Sequence, residues 1–203
     1  KLFGFWNATS YQDTFKRYVA DIQGNLADKK DLNGFLEEAD KFIQKNLKTI
    51  NLYSNFLTHW DFVPHNFRIS GNEMYLLDHS SIRFGNKYEG WARFLNFMML
   101  YNQNLEKLLL DYVKNNRSEK EYLSLRLMRV FRLTELIWHY VKTLKQAEGN
   151  LKVLNKKRID LWTNALVSVL EDKQLDESIA KEYKISRDSL RDEEEKQRQL
   201  DLH

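Results

Sequence analysis

Cysteine is absent from the 203 residues, proline occurs once and glycine seven times. Without cysteine there is no disulfide framework, no thiolate metal site and no cysteine nucleophile. The composition is compatible with a reducing compartment, and a cytoplasmic location is the expectation. So little Gly and Pro leaves few punctuation points, which points to long helices. Charge of one sign is also lacking: 32 Lys and Arg face 29 Asp and Glu, a formal +3. That excess is too small to imply a nucleic-acid partner. No apolar run reaches the length needed to span a bilayer, so no membrane role is expected. The longest, from Phe94 to Tyr101, reads as a turn or two of buried helix. The chain opens at Lys1 rather than Met, and no targeting signal is read from its start. What is present is ordinary for a globular fold, 42% hydrophobic with 13% aromatic residues, in a chain long enough for one domain with a sizeable core.

Hydrophobic spacing of three and four predicts helices over 9–23 and 34–53. Thr9 or Ser10 caps the first and Asn33 the second, with Gly24-Asn25 and Gly34 bounding the turn between them. From Gly90 onward helix returns, over 90–115, 118–147, 151–171 and 175–199. Between these blocks, 56–84 loses helical periodicity. It holds the only proline, a Gly71-Asn72 pair and two strand-like runs, Asn66-Phe67-Arg68-Ile69 and Met74-Tyr75-Leu76-Leu77. Two such runs around Gly-Asn signal a β-hairpin. The fold class expected is therefore mainly α with a small β-hairpin. Functional residues gather where irregular backbone is held by a rigid scaffold, so the chemistry is sought in 56–84.

The segment Leu57-Thr58-His59-Trp60-Asp61-Phe62-Val63-Pro64-His65-Asn66 places an Asp two residues after a His and an Asn five after that Asp. This is the spacing of a kinase catalytic loop, whose Asp accepts the acceptor hydroxyl's proton and whose Asn binds magnesium. Twelve residues after Asn66, Leu76-Leu77-Asp78 ends an apolar strand in an aspartate, where kinases hold the metal that bridges the nucleotide phosphates. With Gly71 and Asn72 as the central turn residues, 70 faces 73 and 66 faces 77. Asn66 and Asp78 then share the open end of the hairpin, about 5 Å apart between strands. A carboxylate and an amide carbonyl are the hard oxygen donors magnesium prefers.

On these residues the chain resembles the aminoglycoside phosphotransferase and choline kinase superfamily, whose loop usually reads His-Gly-Asp-Leu-His-Pro-Gly-Asn before a hairpin and an Ile-Asp segment. The matches are His59, Asp61, Pro64, Asn66, Asp78 and Gly85, and the likeness covers roughly 34–145. It departs at Trp60, where the family has Gly, at Val63 for the second His, and at His79-Ser80 for an aromatic-acid pair. After Gly85 the family commonly places an aspartate that braces the loop from the next helix; here Glu89-Gly90 stand thereabouts. The resemblance implies a protein-kinase-like C-lobe over 1–203, with catalytic loop and metal hairpin at 56–84, a helical substrate-side bundle at 90–171 and a charged helix at 175–199. It also implies Asp61 as the base or hydroxyl-orienting residue, Asn66 and Asp78 as ligands of Mg2+ and thereby of ATP or another nucleoside triphosphate, and His59 and Pro64 as supports of the loop. The acceptor is a small-molecule hydroxyl, in a pocket built by helices after residue 90. A nucleotide-covering lobe with a lysine for the phosphates is not found upstream, and is expected outside this chain. A non-catalytic pseudokinase or interaction lobe is the alternative.

Other features read as structural. His65 and His79 are loop histidines flanking the site, and no zinc-ligand spacing links them to His59. Arg126, Arg129 and Arg132 repeat every three residues, as a solvated face that Glu119, Glu121 and Glu135 neutralise. Trp91, Trp138, Tyr140 and Trp162 are expected in the core rather than in an aromatic cage.

Overall fold

The computed structural model describes residues 4–26 and 29–191. Three helices come first: α1 (Ala8–Asn25), α2 (Lys30–Lys45) and α3 (Leu47–Leu52). Asn7, not Thr9 or Ser10, caps α1, accepting from Ser10 N in a reciprocal capping box. The expected 34–53 helix starts earlier, takes Gly34 into its interior and is interrupted at Asn46.

The β island follows, in two separate antiparallel pairs. Strand β1 (Phe56–His59) pairs with β4 (Ile82–Gly85), and β2 (Phe67–Ser70) with β3 (Glu73–Leu76). In the second pair Ser70 faces Glu73 and Phe67 faces Leu76, and Leu77 N donates to Asn66 O at 2.8 Å. The register expected from Gly71-Asn72 is the one found, with Gly71 at φ +60, where only Gly pays no Cβ penalty. The β1–β4 pair, which aligns Thr58 with Arg83, was not anticipated.

Five helices close the fold: α4 (Glu89–Tyr101), α5 (Gln103–Asn116), α6 (Glu119–Leu144), α7 (Gly149–Leu170) and α8 (Glu177–Leu190). The single helix expected over 90–115 breaks at Asn102, whose side chain caps α5 by accepting from Leu105 N. Residues 192–199 of the expected last helix lie outside the described residues. Helix α6 is the axis of the molecule and packs against α1, α4 and α7. It is buried nearly all round over 124–134, as a helix surrounded by others must be. Among the described residues no helix is long and apolar enough to cross a membrane.

The arginine row of α6 is not a solvated face. Arg129 and Arg132 are each 3% exposed. Arg129 bonds to Asn96 and pairs with Glu106, while Arg132 pairs with Glu135 at 2.7 Å. Arg126 donates to the carbonyls of Val169 and Leu170 at the end of α7, a favourable place for a cation at a helix C-terminus. Trp162 is buried as expected, whereas Trp91 is 38% exposed. Trp138 packs on Tyr18 and donates to Asp21.

Candidate functional site

The site begins where β1 ends. His59 is buried, and its Nε2 lies 3.0 Å from the main-chain oxygens of both Leu77 and Asp78. Two carbonyls can only accept, so Nε2 carries the proton and donates. That bond ties the start of one loop to the end of the hairpin, a buttress made without a zinc-ligand role for this nitrogen. Trp60 N extends the ladder by donating to Ser81 O at 2.9 Å.

Asp61 follows on the turn. Its Oδ1 accepts from Arg93 Nε at 3.0 Å and its Oδ2 from Asn66 Nδ2 at 3.3 Å. The same Asn66 nitrogen donates to the Asp61 main-chain oxygen at 2.7 Å. Pro64 opens the 3-10 turn Pro64–Asn66, with its fixed φ suited to that position; Asn66 N closes it onto buried Val63 O at 2.9 Å. Because the Asn66 nitrogen is engaged on the loop, its amide oxygen is the atom left to face a ligand.

Asp78 is left-handed, at φ 55 and ψ 60, a conformation that costs most residues energy but that Asp tolerates. Strain of this kind needs surrounding structure to hold it. Here the His59 bond to its carbonyl and Ser81 N, 3.0 Å from the same oxygen, do so. Its exposed carboxylate accepts from the Ser80 and Ser81 hydroxyls. Those two bonds, Ser80's first, hold its pKa below the usual carboxylate value, with His59 and His79 adding to the effect. Asp78 is therefore an anion at neutral pH.

Asp61 and Asn66 bond directly, and the main chain of Asp78 is tied through His59 to the strand that leads into their loop. The donor set is one amide oxygen and one carboxylate. Among the described residues no group of three or more His, Cys, Asp or Glu side chains is placed to hold a metal. Magnesium fits this set, since it takes one or two protein oxygens and completes its shell with water and phosphate. His79 is exposed, with Nε2 3.1 Å from Leu76 O; the His65 ring lies 6.4 Å from that of Phe97.

Three features were missed in the sequence. The first is the face of α4 that meets the loop, carried by positions 90, 93, 94 and 97. A Cβ on Gly90 would stand 2.8 Å from His59 O and 3.2 Å from Phe62 Cβ, Arg93 reaches Asp61, and Phe94 and Phe97 contact Phe62 and His65. The 3.6-residue spacing of these positions was the available signal. The second is a buried charge cluster. Glu89 is fully buried, accepts from Tyr11 Oη at 2.7 Å, pairs with Arg83 and lies 3.8 Å from Arg132 Nη1. The two guanidiniums lie 5.6 and 5.3 Å from the Trp60 ring, within reach of a cation–π attraction. The third is an apolar groove of about 760 Å³ beside the loop, lined by Phe62, Phe67, Ile69 and Met74 from the β island and by Trp91, Phe94 and Leu105 from α4 and α5.

In comparisons with known proteins, no family model, no curated protein and no solved structure matches the chain.

Proposed function

We propose that this chain is the catalytic-loop lobe of a kinase-like phosphotransferase that moves the γ-phosphate of ATP, or of another nucleoside triphosphate, to the hydroxyl of a small molecule. One observation carries the reading. Asn66 is hydrogen-bonded to both the main chain and the carboxylate of Asp61, while His59 is bonded to the main chain of Asp78. The proposed base and amide ligand are thereby bonded to each other, and the backbone of the proposed charged ligand is tied to the strand that leads into their loop, in the order and spacing that phosphoryl transfer uses.

The chemistry follows from the positions. Asn66 Oδ1 and the Asp78 carboxylate would hold magnesium, which when bound neutralises charge on the phosphate oxygens. A lone pair of the acceptor oxygen forms the new bond to the γ-phosphorus. The bond from that phosphorus to its bridging oxygen breaks, and its electron pair leaves on the nucleoside diphosphate. The hydroxyl proton passes to the Asp61 carboxylate and then to solvent. The described residues between 4 and 52 hold three helices and one isolated bridge, Phe5 with Phe84. On this reading, strands and a lysine covering the phosphates are supplied from outside these elements.

The test is Asp61→Asn in the full-length protein, with labelled ATP and a panel of sugars, amino alcohols, aminoglycosides and nucleosides as acceptors. Asn keeps the size and cannot take a proton at neutral pH. Turnover is expected to fall about a hundred- to ten-thousand-fold, with nucleotide affinity within a few-fold of wild type. Turnover retained within a few-fold would show that Asp61 is not the base, and a wild-type protein without turnover on any acceptor would return the chain to the non-catalytic reading.

A further inference from the structure

Arg93 does something at this site that a purely structural ion pair does not require. It reaches Asp61 through Nε alone, at 3.0 Å. Its two terminal nitrogens make no other hydrogen bond or ion pair among the described residues, and the side chain is 21% exposed. An arginine committed to holding a carboxylate normally closes a two-pronged fork on it. Here one prong orients Asp61 and the remainder of the guanidinium is left open at the solvent edge of the loop.

We propose that Arg93 is a second catalytic residue: it fixes the Asp61 carboxylate through Nε and presents its Nη atoms to the phosphoryl group in transit. This rests on the phosphotransferase reading and adds a residue to it. Negative charge on the equatorial oxygens of the transferring group is the charge to be stabilised, and an arginine supplied within the chain is one of the ways phosphoryl transfer achieves this. No proton moves through Arg93, which stays charged throughout. The base and the cation are then delivered together, because a single side chain sets the position of both. Lysine would not substitute fully, since a point charge cannot bond Asp61 and phosphate along two fixed directions.

The experiment measures binding of MgADP to the full-length protein by calorimetry, alone and with aluminium fluoride, which fills the place of the planar phosphoryl group. Hydrolysis of MgATP, with water as acceptor, is followed alongside. In wild type, aluminium fluoride is expected to tighten MgADP. In Arg93→Met, MgADP alone is expected to bind within about threefold of wild type, while the tightening and the hydrolysis rate each fall by about a hundredfold or more. Arg93→Lys should recover part of both. Equal tightening in wild type and Arg93→Met, with hydrolysis unchanged, would overturn the proposal while leaving the phosphotransferase reading intact. A wild-type protein that binds no nucleotide, or shows no tightening, overturns that reading and this proposal together.

Discussion

The two β ladders have the same length and the same antiparallel order, yet they are held in opposite ways. In β1–β4, Thr58, His59 and Gly85 are buried, and the first turn of α4 lies against the His59 carbonyl. Just beyond β4, Asn86 is wholly buried and bonded to Ile50, Tyr11 and Ser124. In β2–β3, Ile69 is 78% and Met74 69% exposed, and both line the apolar groove. A lone two-stranded hairpin is marginal in water, so β2–β3 takes its position from its base. The site occupies the seam: His59 ends the anchored ladder, Asn66 and Asp78 bracket the exposed one, and Asp61 lies between. Placement of the candidate site is thus set by one ladder, and the other is held only at its base.

Glycines in the two ladder regions separate these roles. Gly90→Ala puts a Cβ against His59 O and Phe62 Cβ, neither at the far end of a flexible side chain. The expected cost is about 2–3 kcal/mol, the upper part of the range for overpacking, read as a lower urea midpoint at unchanged slope. A cost near zero would show that α4 and the loop are not locked together. Gly71→Ala meets no atom within 4 Å, but must hold φ +60. About 1 kcal/mol is expected from the left-handed backbone alone, in the same urea experiment. If nucleotide binding changes with Gly71→Ala, the hairpin tip is not the neutral element described above.

The hairpin was legible because its register depends on two adjacent residues, Gly71 and Asn72, and the loop was legible because His59, Asp61 and Asn66 lie within eight positions. Features built by distant partners were not. The β1–β4 pairing joins Thr58 to Arg83, residues far apart in the chain with no short turn between them. The arginines of α6 were given solvent because Glu119, Glu121 and Glu135 on the same helix could neutralise them there; the partners that permit burial, Glu106 and Glu89, arrive from α5 and α4. Burying a charge without such a partner is prohibitive, so the error lay in a pairing that linear spacing does not show. Arg93 was passed over for the same reason, since its partner lies 32 residues away.

The smallest expected effect concerns the fastening of β4 to the bundle, and it sharpens the comparison through pH. Glu121 in the first turn of α6 accepts from Lys87 Nζ and Tyr88 Oη, each at 2.7 Å, and so pins the chain just after β4. Lys87 first, then Tyr88, bring its pKa down to about 2, below the ordinary Glu value of about 4.3. The sign follows from that direction. A carboxyl whose folded pKa is depressed contributes stability that is present in full above its unfolded pKa and is lost as pH falls through the folded one. The loss should run from about pH 4.3 down to about pH 2, over the span between those two values. Glu121→Gln removes the charge and keeps a side chain able to serve the capping box with Ser118. At pH 7 the variant should melt slightly below wild type, since a partly exposed pair of this kind is worth at most about 1 kcal/mol. The gap between the two melting curves should close as the pH is taken from 5 to 2. In the same range the Lys87 amide, which donates to Tyr53 O at 2.8 Å, should lose exchange protection in wild type. A gap of constant size from pH 7 to pH 2 would mean that the Glu121 charge does not fasten this ladder, and the difference in anchoring would then rest on Asn86 and Gly90 alone.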